Sequence, residues 1–281
     1  MTALPRVPGY ELLSCLGGGM LTSVYSARAL ADDSACAVKV LRPDWAEQPT
    51  AIKLLQREAR ACLAVQHPCL IGLRAAHVTR PPYFLVMDLL PGESLRRRLR
   101  RDYKLQVPTA VWIARQTAEA LDALHRAGFI HGDIKPDNIR LVGEGRVIVL
   151  DLGFAHRPGE NAALLREGYV LGTVNYLAPE QCAAKPSDDA ASDIFSLGLT
   201  LFEMLSGQLP YPAGTLAKTL LRHEADPPRD IRELAPELPH ALTDLVRAML
   251  ARRPKDRPRA AQIVRRLIPL EIAAIRSRRA A

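Results

Sequence analysis

Apolar and polar residues alternate on a short period through the first ninety positions. Residues 10–15 and 23–29 are strand-like and flank a run of glycines, which predicts a hairpin. Residues 35–41 predict a third strand. Residues 51–65 change period: Ile52, Leu55, Ala59 and Cys62 fall at helical spacing. Residues 70–78 and 83–87 return to strand character and complete a small sheet. Leu90-Pro91-Gly92 breaks the pattern and predicts a boundary between two lobes.

Beyond that boundary the pattern is mainly helical. Pro108-Thr109 opens a helix that runs to Ala127, and Gly128 closes it. Residues 192–206 are strongly apolar and end at Gly207, as expected of a buried central helix. Leu242, Leu245, Val246 and Met249 form one stripe of a later helix, and residues 262–267 belong to another. Arg146-Val147-Ile148-Val149-Leu150 reads as a buried strand delivering Asp151 to a cleft. Strands followed by helices predict an α+β enzyme with one cleft between two lobes.

Composition narrows the function classes. With 48% hydrophobic residues the chain can build a real core, and its length suits one mid-sized enzyme domain. Its five cysteines are scattered without a Cys-x-x-Cys pair, which argues for a reducing compartment and against zinc. Residues 1–8 lack the apolar run of a signal peptide, and no stretch is long enough to span a bilayer. The chain is therefore expected to be soluble and cytoplasmic. The net charge of +8 invites a nucleic-acid reading, but the cations are spread and aromatics are few, so no nucleic acid is expected.

The chemistry is concentrated in His131-Gly132-Asp133-Ile134-Lys135-Pro136-Asp137-Asn138 and in Asp151-Leu152-Gly153. Asp133 can orient a hydroxyl, Lys135 can meet phosphate, and Asn138 and Asp151 offer oxygens to a hard cation. Phosphoryl transfer needs those parts, because positioning and charge neutralisation carry the reaction.

The segment resembles the catalytic loop and metal-binding turn of the protein kinase superfamily. Leu16-Gly17-Gly18-Gly19-Met20-Leu21-Thr22-Ser23-Val24 resembles its Gly-rich loop, Ala37-Val38-Lys39-Val40 its lysine strand, and Ala178-Pro179-Glu180 the end of its activation segment. The motifs stand in the family's order, and the resemblance covers roughly residues 9–268. Gly92-Glu93-Ser94-Leu95 and Tyr176-Leu177-Ala178-Pro179-Glu180-Gln181 look most like bacterial eukaryotic-like Ser/Thr kinases. The resemblance implies one kinase domain: a mainly β N-lobe over 9–88, a hinge at 89–92, a mainly α C-lobe over 93–268 and a basic tail over 269–281.

It also implies roles. Gly17, Gly18 and Gly19 would bring backbone amides close to ATP phosphates, with Thr22 where the family has a third glycine. Lys39 would hold the α- and β-phosphates, oriented by Glu58 nineteen positions on. Val24 and Ala37 would cover adenine, Met87 would guard the back of its pocket, and Asp88 and Leu89 would offer it backbone groups. Arg140 stands where a bulky apolar residue usually forms the floor, and its aliphatic stem would serve. Asp133 would accept or orient the hydroxyl proton of a protein Ser/Thr substrate, Lys135 would neutralise the transferring phosphate, and Asn138 and Asp151 would bind Mg²⁺. His131 is expected to pack beneath the turn of Leu152, capped by Asp193. Glu180 and Arg257 would form a buried ion pair, and Thr173 would contact Asp133 and Lys135. Asp137 would favour a basic residue near the phosphoacceptor.

Two other functions are compatible with parts of the pattern. Small-molecule phosphotransferases of the aminoglycoside or choline type also read His-Gly-Asp, but Lys135, Thr173, Ala178-Pro179-Glu180 and Arg257 argue for a peptide-docking segment. A pseudokinase scaffold would be signalled by loss of Lys39, Asp133, Asn138 or Asp151, and all four are present. The arginines at 96, 97, 98, 100 and 101 read first as a solvated helix face, with an acidic partner or membrane surface as the alternative. Gly132 replaces the arginine that pairs with an activation-segment phosphate in kinases switched that way, and residues 151–172 contain no serine or threonine. Tyr169 is the one phosphorylatable hydroxyl there, so a kinase independent of activation-segment phosphorylation is expected.

Overall fold

A computed structural model describes residues 4–143, 145–162, 171–182, 189–211 and 216–280. Its contacts divide the chain into two compact units.

The first unit comprises the chain up to Gln66, Leu70–Pro91 and Asp151–Gly153. Strands β1 (Tyr10–Gly18), β2 (Thr22–Ala29), β3 (Ala35–Leu41), β4 (Leu73–His77) and β5 (Phe84–Asp88) form an antiparallel sheet in the order β1-β2-β3-β5-β4. Helix α1 (Pro49–Ala64) starts with proline in its first turn, where a missing N–H costs nothing. Strand alternation sends Cys36, Val38, Val40, Phe84 and Val86 into one cluster with Val7 and Ala27. Leu41 and Leu85 pack on the other side with Ala51, Leu55 and Ala59 of α1. Ala37, Lys39 and Met87 share the parity of Leu41 and Leu85, so they lie on the face that α1 covers.

The strand expected over 70–78 begins later, at Leu73. His67–Cys69 belongs to the second unit, where the Val149 amide donates to the Cys69 carbonyl at 2.8 Å, so the chain joins the β4 ladder only after that contact.

The second unit comprises His67–Cys69, Gly92–Leu150 and the chain from Phe154 on. Short strands β6 (Glu93–Ser94), β7 (Ile139–Val142) and β8 (Arg146–Val149) form a second antiparallel sheet. The helices are α2 (Leu95–Asp102), α3 (Val107–Arg126), α4 (Pro179–Cys182), α5 (Ala191–Ser206), α6 (Leu216–Ala225), α7 (His240–Met249) and α8 (Ala260–Ala280). Ser94 caps α2 by accepting from the Arg97 amide at 3.2 Å. Leu95 and Leu99 are buried beneath it. Helix α5 is the core: fourteen of its sixteen residues are buried, Asp193 among them, while Glu203 is partly buried at 12% exposure.

The basic tail expected from 269 is not a separate segment, because α8 continues through Pro269 to Ala280. Glu271 holds it down by accepting from Arg115 of α3, whose guanidinium also reaches Glu119 at 2.6 Å. That charge-assisted anchor offsets the hydrogen bond lost at Pro269. Among the described residues no helix is long and apolar enough to cross a membrane.

Candidate active site

The polar side chains singled out in the sequence fall into two groups, one in each unit. In the first unit, Lys39 is placed by β3 and Glu58 by the buried face of α1. The Lys39 ammonium lies 2.9 and 2.7 Å from the two Glu58 oxygens and 2.6 Å from Asp151 Oδ1. Burial alone would lower the Lys39 ammonium, but Asp151 and Glu58 outweigh it and hold the lysine above its ordinary value. Burial pushes the Glu58 carboxyl up, with Lys39 opposing. Asp151 adopts φ +59, a left-handed conformation costly for a residue with a Cβ. Its carboxylate is fixed there by Lys39 and by the Gly153 amide at 3.3 Å.

The glycine run divides into two kinds of position. A Cβ at Gly18 would lie 2.8 Å from the Thr22 carbonyl, so Gly18 serves the hairpin itself. A Cβ at Gly17 or Gly19 would meet nothing within 4 Å, so the space beside each is open. Thr22 opens β2 and accepts from the Gly19 amide at 2.9 Å, a turn bond that needs no third glycine. Val24 pairs with Lys39 and Ala37 with Met87, so these residues share one face of the sheet. The Asp88 amide is committed to the Gly72 carbonyl at 3.2 Å and its carboxylate to Arg74 at 2.8 Å, which leaves the Asp88 carbonyl as its available backbone group. Leu89 follows, half-buried.

In the second unit the loop at 131–138 converges on Asp133, which is buried. Its Oδ2 accepts from Lys135 at 2.6 Å and from Asn138 at 2.9 Å, and its Oδ1 accepts from the Thr173 hydroxyl at 2.7 Å. Lys135 also reaches the Thr173 oxygen at 2.5 Å. The Asn138 amide nitrogen donates both to this carboxylate and to the Asp133 carbonyl at 2.9 Å, which fixes the side chain and leaves its oxygen pointing elsewhere.

His131 is structural. The Asp133 amide donates to its Nδ1 at 3.2 Å, so Nε2 carries the proton and donates to the Leu150 carbonyl at 3.2 Å. Asp193 accepts from the His131 amide at 2.8 Å and the Gly132 amide at 2.9 Å, fixing the loop's entry. It also bonds His125 at 2.8 Å. Burial pushes the Asp193 carboxyl up, but His125, His131 and the Gly132 amide outweigh it and hold it below its ordinary value. The part played by His125 is not visible in the sequence, where it is one of seven histidines and ends a helix without motif context.

Arg140 on β7 donates to the Gly92 carbonyl at 2.9 Å, so its charged tip is drawn back to main chain. Burial lowers its guanidinium. Arg257 and Glu180 form a bidentate pair at 2.6 and 2.7 Å. The remaining Arg257 donors meet the carbonyls of Ala251, Ala191 and Arg252, which satisfies the whole guanidinium. Tyr169 lies outside the described residues.

The arginine run is divided between inward and outward side chains, with Arg97, Arg100 and Arg101 exposed. Arg96 pairs with Glu203 at 2.6 Å and Asp137 at 3.2 Å, Arg98 with Asp102, and Arg101 with Asp102 and Glu93 at 2.9 Å. These internal carboxylates neutralise part of the run, and nothing among the described residues supports an acidic partner for the rest. Asp137 shares its charge with Arg96 while its side chain stays 49% exposed.

The family described as protein kinase domain matches residues 10–267. The chain is 31% identical over 249 residues to a probable serine/threonine-protein kinase PknB of Lactococcus lactis, covering 88% of this chain and 39% of that protein. It is 32% identical over 270 residues to the serine/threonine-protein kinase PknB of Mycobacterium leprae, covering 94% and 43%. It is 29% identical over 259 residues to the serine/threonine-protein kinase PrkC of Bacillus subtilis, covering 92% and 40%. The chain thus spans about two fifths of the length of these relatives.

Proposed function

The chain belongs to the protein kinase domain family, and we propose that it transfers the γ-phosphoryl group of ATP to serine or threonine hydroxyls of a protein. The observation that carries this reading is the ring formed by Asp133, Lys135 and Thr173, with distances of 2.5 to 2.7 Å. It holds a carboxyl group and an amino group side by side, one to take up the hydroxyl's proton and the other to meet phosphate charge. Thr173 also ties this pair to the segment leading to Ala178-Pro179-Glu180, which Arg257 anchors. Small-molecule transfer needs no such anchored segment.

The donor sets fit the reagents. Lys39, buried and oriented by Glu58, would hold phosphate oxygens, and the open space at Gly17 and Gly19 suits backbone contact with them. Val24, Ala37 and Met87 supply apolar contact for adenine, and the Asp88 carbonyl and Leu89 supply polar groups. Arg140 would contribute its stem. Asn138 in the second unit and Asp151 in the first each carry an oxygen of the hard kind that Mg²⁺ takes. When bound, the ion supplies neutralisation of phosphate charge. The work of the chain's own residues is to orient Lys39 and to aim Asp133 at the acceptor. A cytoplasmic setting fits the free cysteines and the absence, among the described residues, of a helix able to cross a membrane.

The reading includes activity without activation-segment phosphorylation. Gly132 adopts φ +81, and a Cβ there would lie 3.0 Å from the Phe154 carbonyl, so an arginine at this place would be strained. Gly132 therefore offers no side chain to a phosphate clamp.

Two arms test the proposal. Purified protein is incubated with radiolabelled ATP, Mg²⁺ and a generic protein substrate, with Asp133→Ala as control; label on substrate in the first and not in the second is expected. The same assay after phosphatase treatment, verified by mass spectrometry, should keep its initial rate. A large fall, restored by phosphorylation between Asp151 and Glu180, contradicts the phosphorylation-independent part alone.

A further inference from the structure

Arg96 differs from the other arginines of its run because its side chain is turned inward. It is 20% exposed, whereas Arg97 is 79% exposed. Its guanidinium joins three separate parts of the second unit. One nitrogen donates to Glu203 Oε1 of α5 at 2.6 Å, and Nε donates to Asp137 Oδ2 at 3.2 Å. The third donates to the Tyr176 hydroxyl, which itself donates to Glu203 Oε2 at 2.5 Å.

The parts joined are those that frame Asp133. Asp137 sits in the turn Pro136–Asn138, between Lys135 and Asn138, both of which touch the Asp133 carboxylate. Tyr176 ends the turn Val174–Tyr176, and Thr173 immediately before it gives its hydroxyl to Asp133. Glu203 is 12% exposed, on the buried central helix. Among the described residues, Arg96 is the cation paired with it. Loss of Arg96 leaves a nearly buried carboxylate without its cation beside the Tyr176 hydroxyl, which is the costly way to break such a pair. The turn of Thr173 and Tyr176 then keeps its bond to Asp133 but loses its second tether.

We propose that Arg96 is a positioning residue for phosphoryl transfer: through Tyr176 and Asp137 it holds the Thr173 turn and the loop of Lys135 and Asn138 in register on Asp133. This rests on the kinase reading given above. The role is distinct from stabilising α2, because the contacts run from α2 to the two segments that orient the acceptor hydroxyl. Nucleotide contacts proposed for the first unit lie outside it.

The test compares wild type, Arg96→Ala, Arg97→Ala and the double variant Arg96→Met/Glu203→Gln. It measures kcat, KM for protein substrate, KM for ATP, and amide hydrogen exchange by mass spectrometry. In Arg96→Ala, kcat over KM for protein substrate should fall about tenfold or more, the scale of lost bonds to a charged group, while KM for ATP stays within about twofold. Exchange should rise over 171–177. Arg97→Ala should match wild type in every column. The double variant should recover part of the loss, because it leaves no uncompensated carboxylate and glutamine still accepts from Tyr176.

Wild-type kinetics in Arg96→Ala overturn the proposal. So does an equal loss in both KM values with no recovery in the double variant, which marks a merely structural arginine. A gain in Arg96→Ala for arginine-containing peptides over neutral ones also overturns it, since Arg96 would then be shielding an acidic site. If wild type itself transfers no phosphate, the kinase reading fails, and the exchange data still decide whether Arg96 tethers the 171–177 segment.

Discussion

Thr173 donates its hydroxyl to Asp133 at 2.7 Å while Lys135 lies 2.5 Å from the same hydroxyl oxygen. One side-chain oxygen therefore sets the spacing of an acid and a cation. Thr173→Val should lower kcat by about 10- to 100-fold, the scale of a lost bond to a charged group, with little change in Tm. Thr173→Ser should keep most of the activity. Steady-state kinetics with parallel thermal unfolding checks both, and a fully active valine variant would remove Thr173 from the site.

The Lys39–Glu58 pair is legible in the sequence because each residue sits on a strongly patterned element. A lysine interrupts an otherwise apolar strand, and a glutamate falls on a helix whose period shows which side is buried. The His131-to-Asn138 loop is legible from residue types at fixed offsets. The Arg96 cluster is not: periodicity assigns Arg96 to the polar side of α2, and no spacing reveals that Asp137, Tyr176 and Glu203 converge on it from three elements. Charge counting fails at Arg96 for the same reason, since it looks as exposed as Arg97 until its carboxylate partners are placed. The continuation of α8 past Pro269 is hidden likewise, because proline predicts a stop and the anchoring contact between Glu271 and Arg115 is long-range.

The Arg257–Glu180 pair predicts a large stability effect. The Arg257 side chain is fully shielded, at 0% exposure, and lies 4.8 Å from the Phe195 ring centre. Arg257→Ala strands Glu180 and three carbonyls, so the cost should be about 3–5 kcal/mol. Arg257→Lys should recover little, because an ammonium cannot reproduce the planar fork. Chemical denaturation of both variants measures this, and a loss of less than about 1 kcal/mol in Arg257→Ala contradicts a buried, satisfied pair.

His223 on α6 predicts a pH dependence. It is buried, its Nδ1 donates to the Leu177 carbonyl at 2.7 Å, and its ring lies 4.2 Å from that of Tyr211. Burial lowers its imidazole from the ordinary 6.5, with the bond to Leu177 opposing. The unfolded chain therefore takes up this proton first as pH falls. Its contribution to stability is present above about 6.5 and is lost as pH drops below that value toward the folded pKa. Relative to His223→Gln, the wild-type Tm should fall between pH 6.5 and 5, and parallel curves for the two proteins would show that His223 is not held neutral.

The assignment of Asp133 as the residue that handles the acceptor's proton is tested most directly by Asp133→Asn, which keeps the shape and one acceptor oxygen while removing the charge. Transfer of labelled phosphate to a protein substrate should fall by about a thousandfold or more in the variant, the combined scale of proton transfer and electrostatic aid, with Tm and ATP affinity near wild type. Phosphoamino-acid analysis of the wild-type product should show phosphoserine or phosphothreonine. Transfer by Asp133→Asn within about tenfold of wild type, in a folded and ATP-binding protein, would contradict the account.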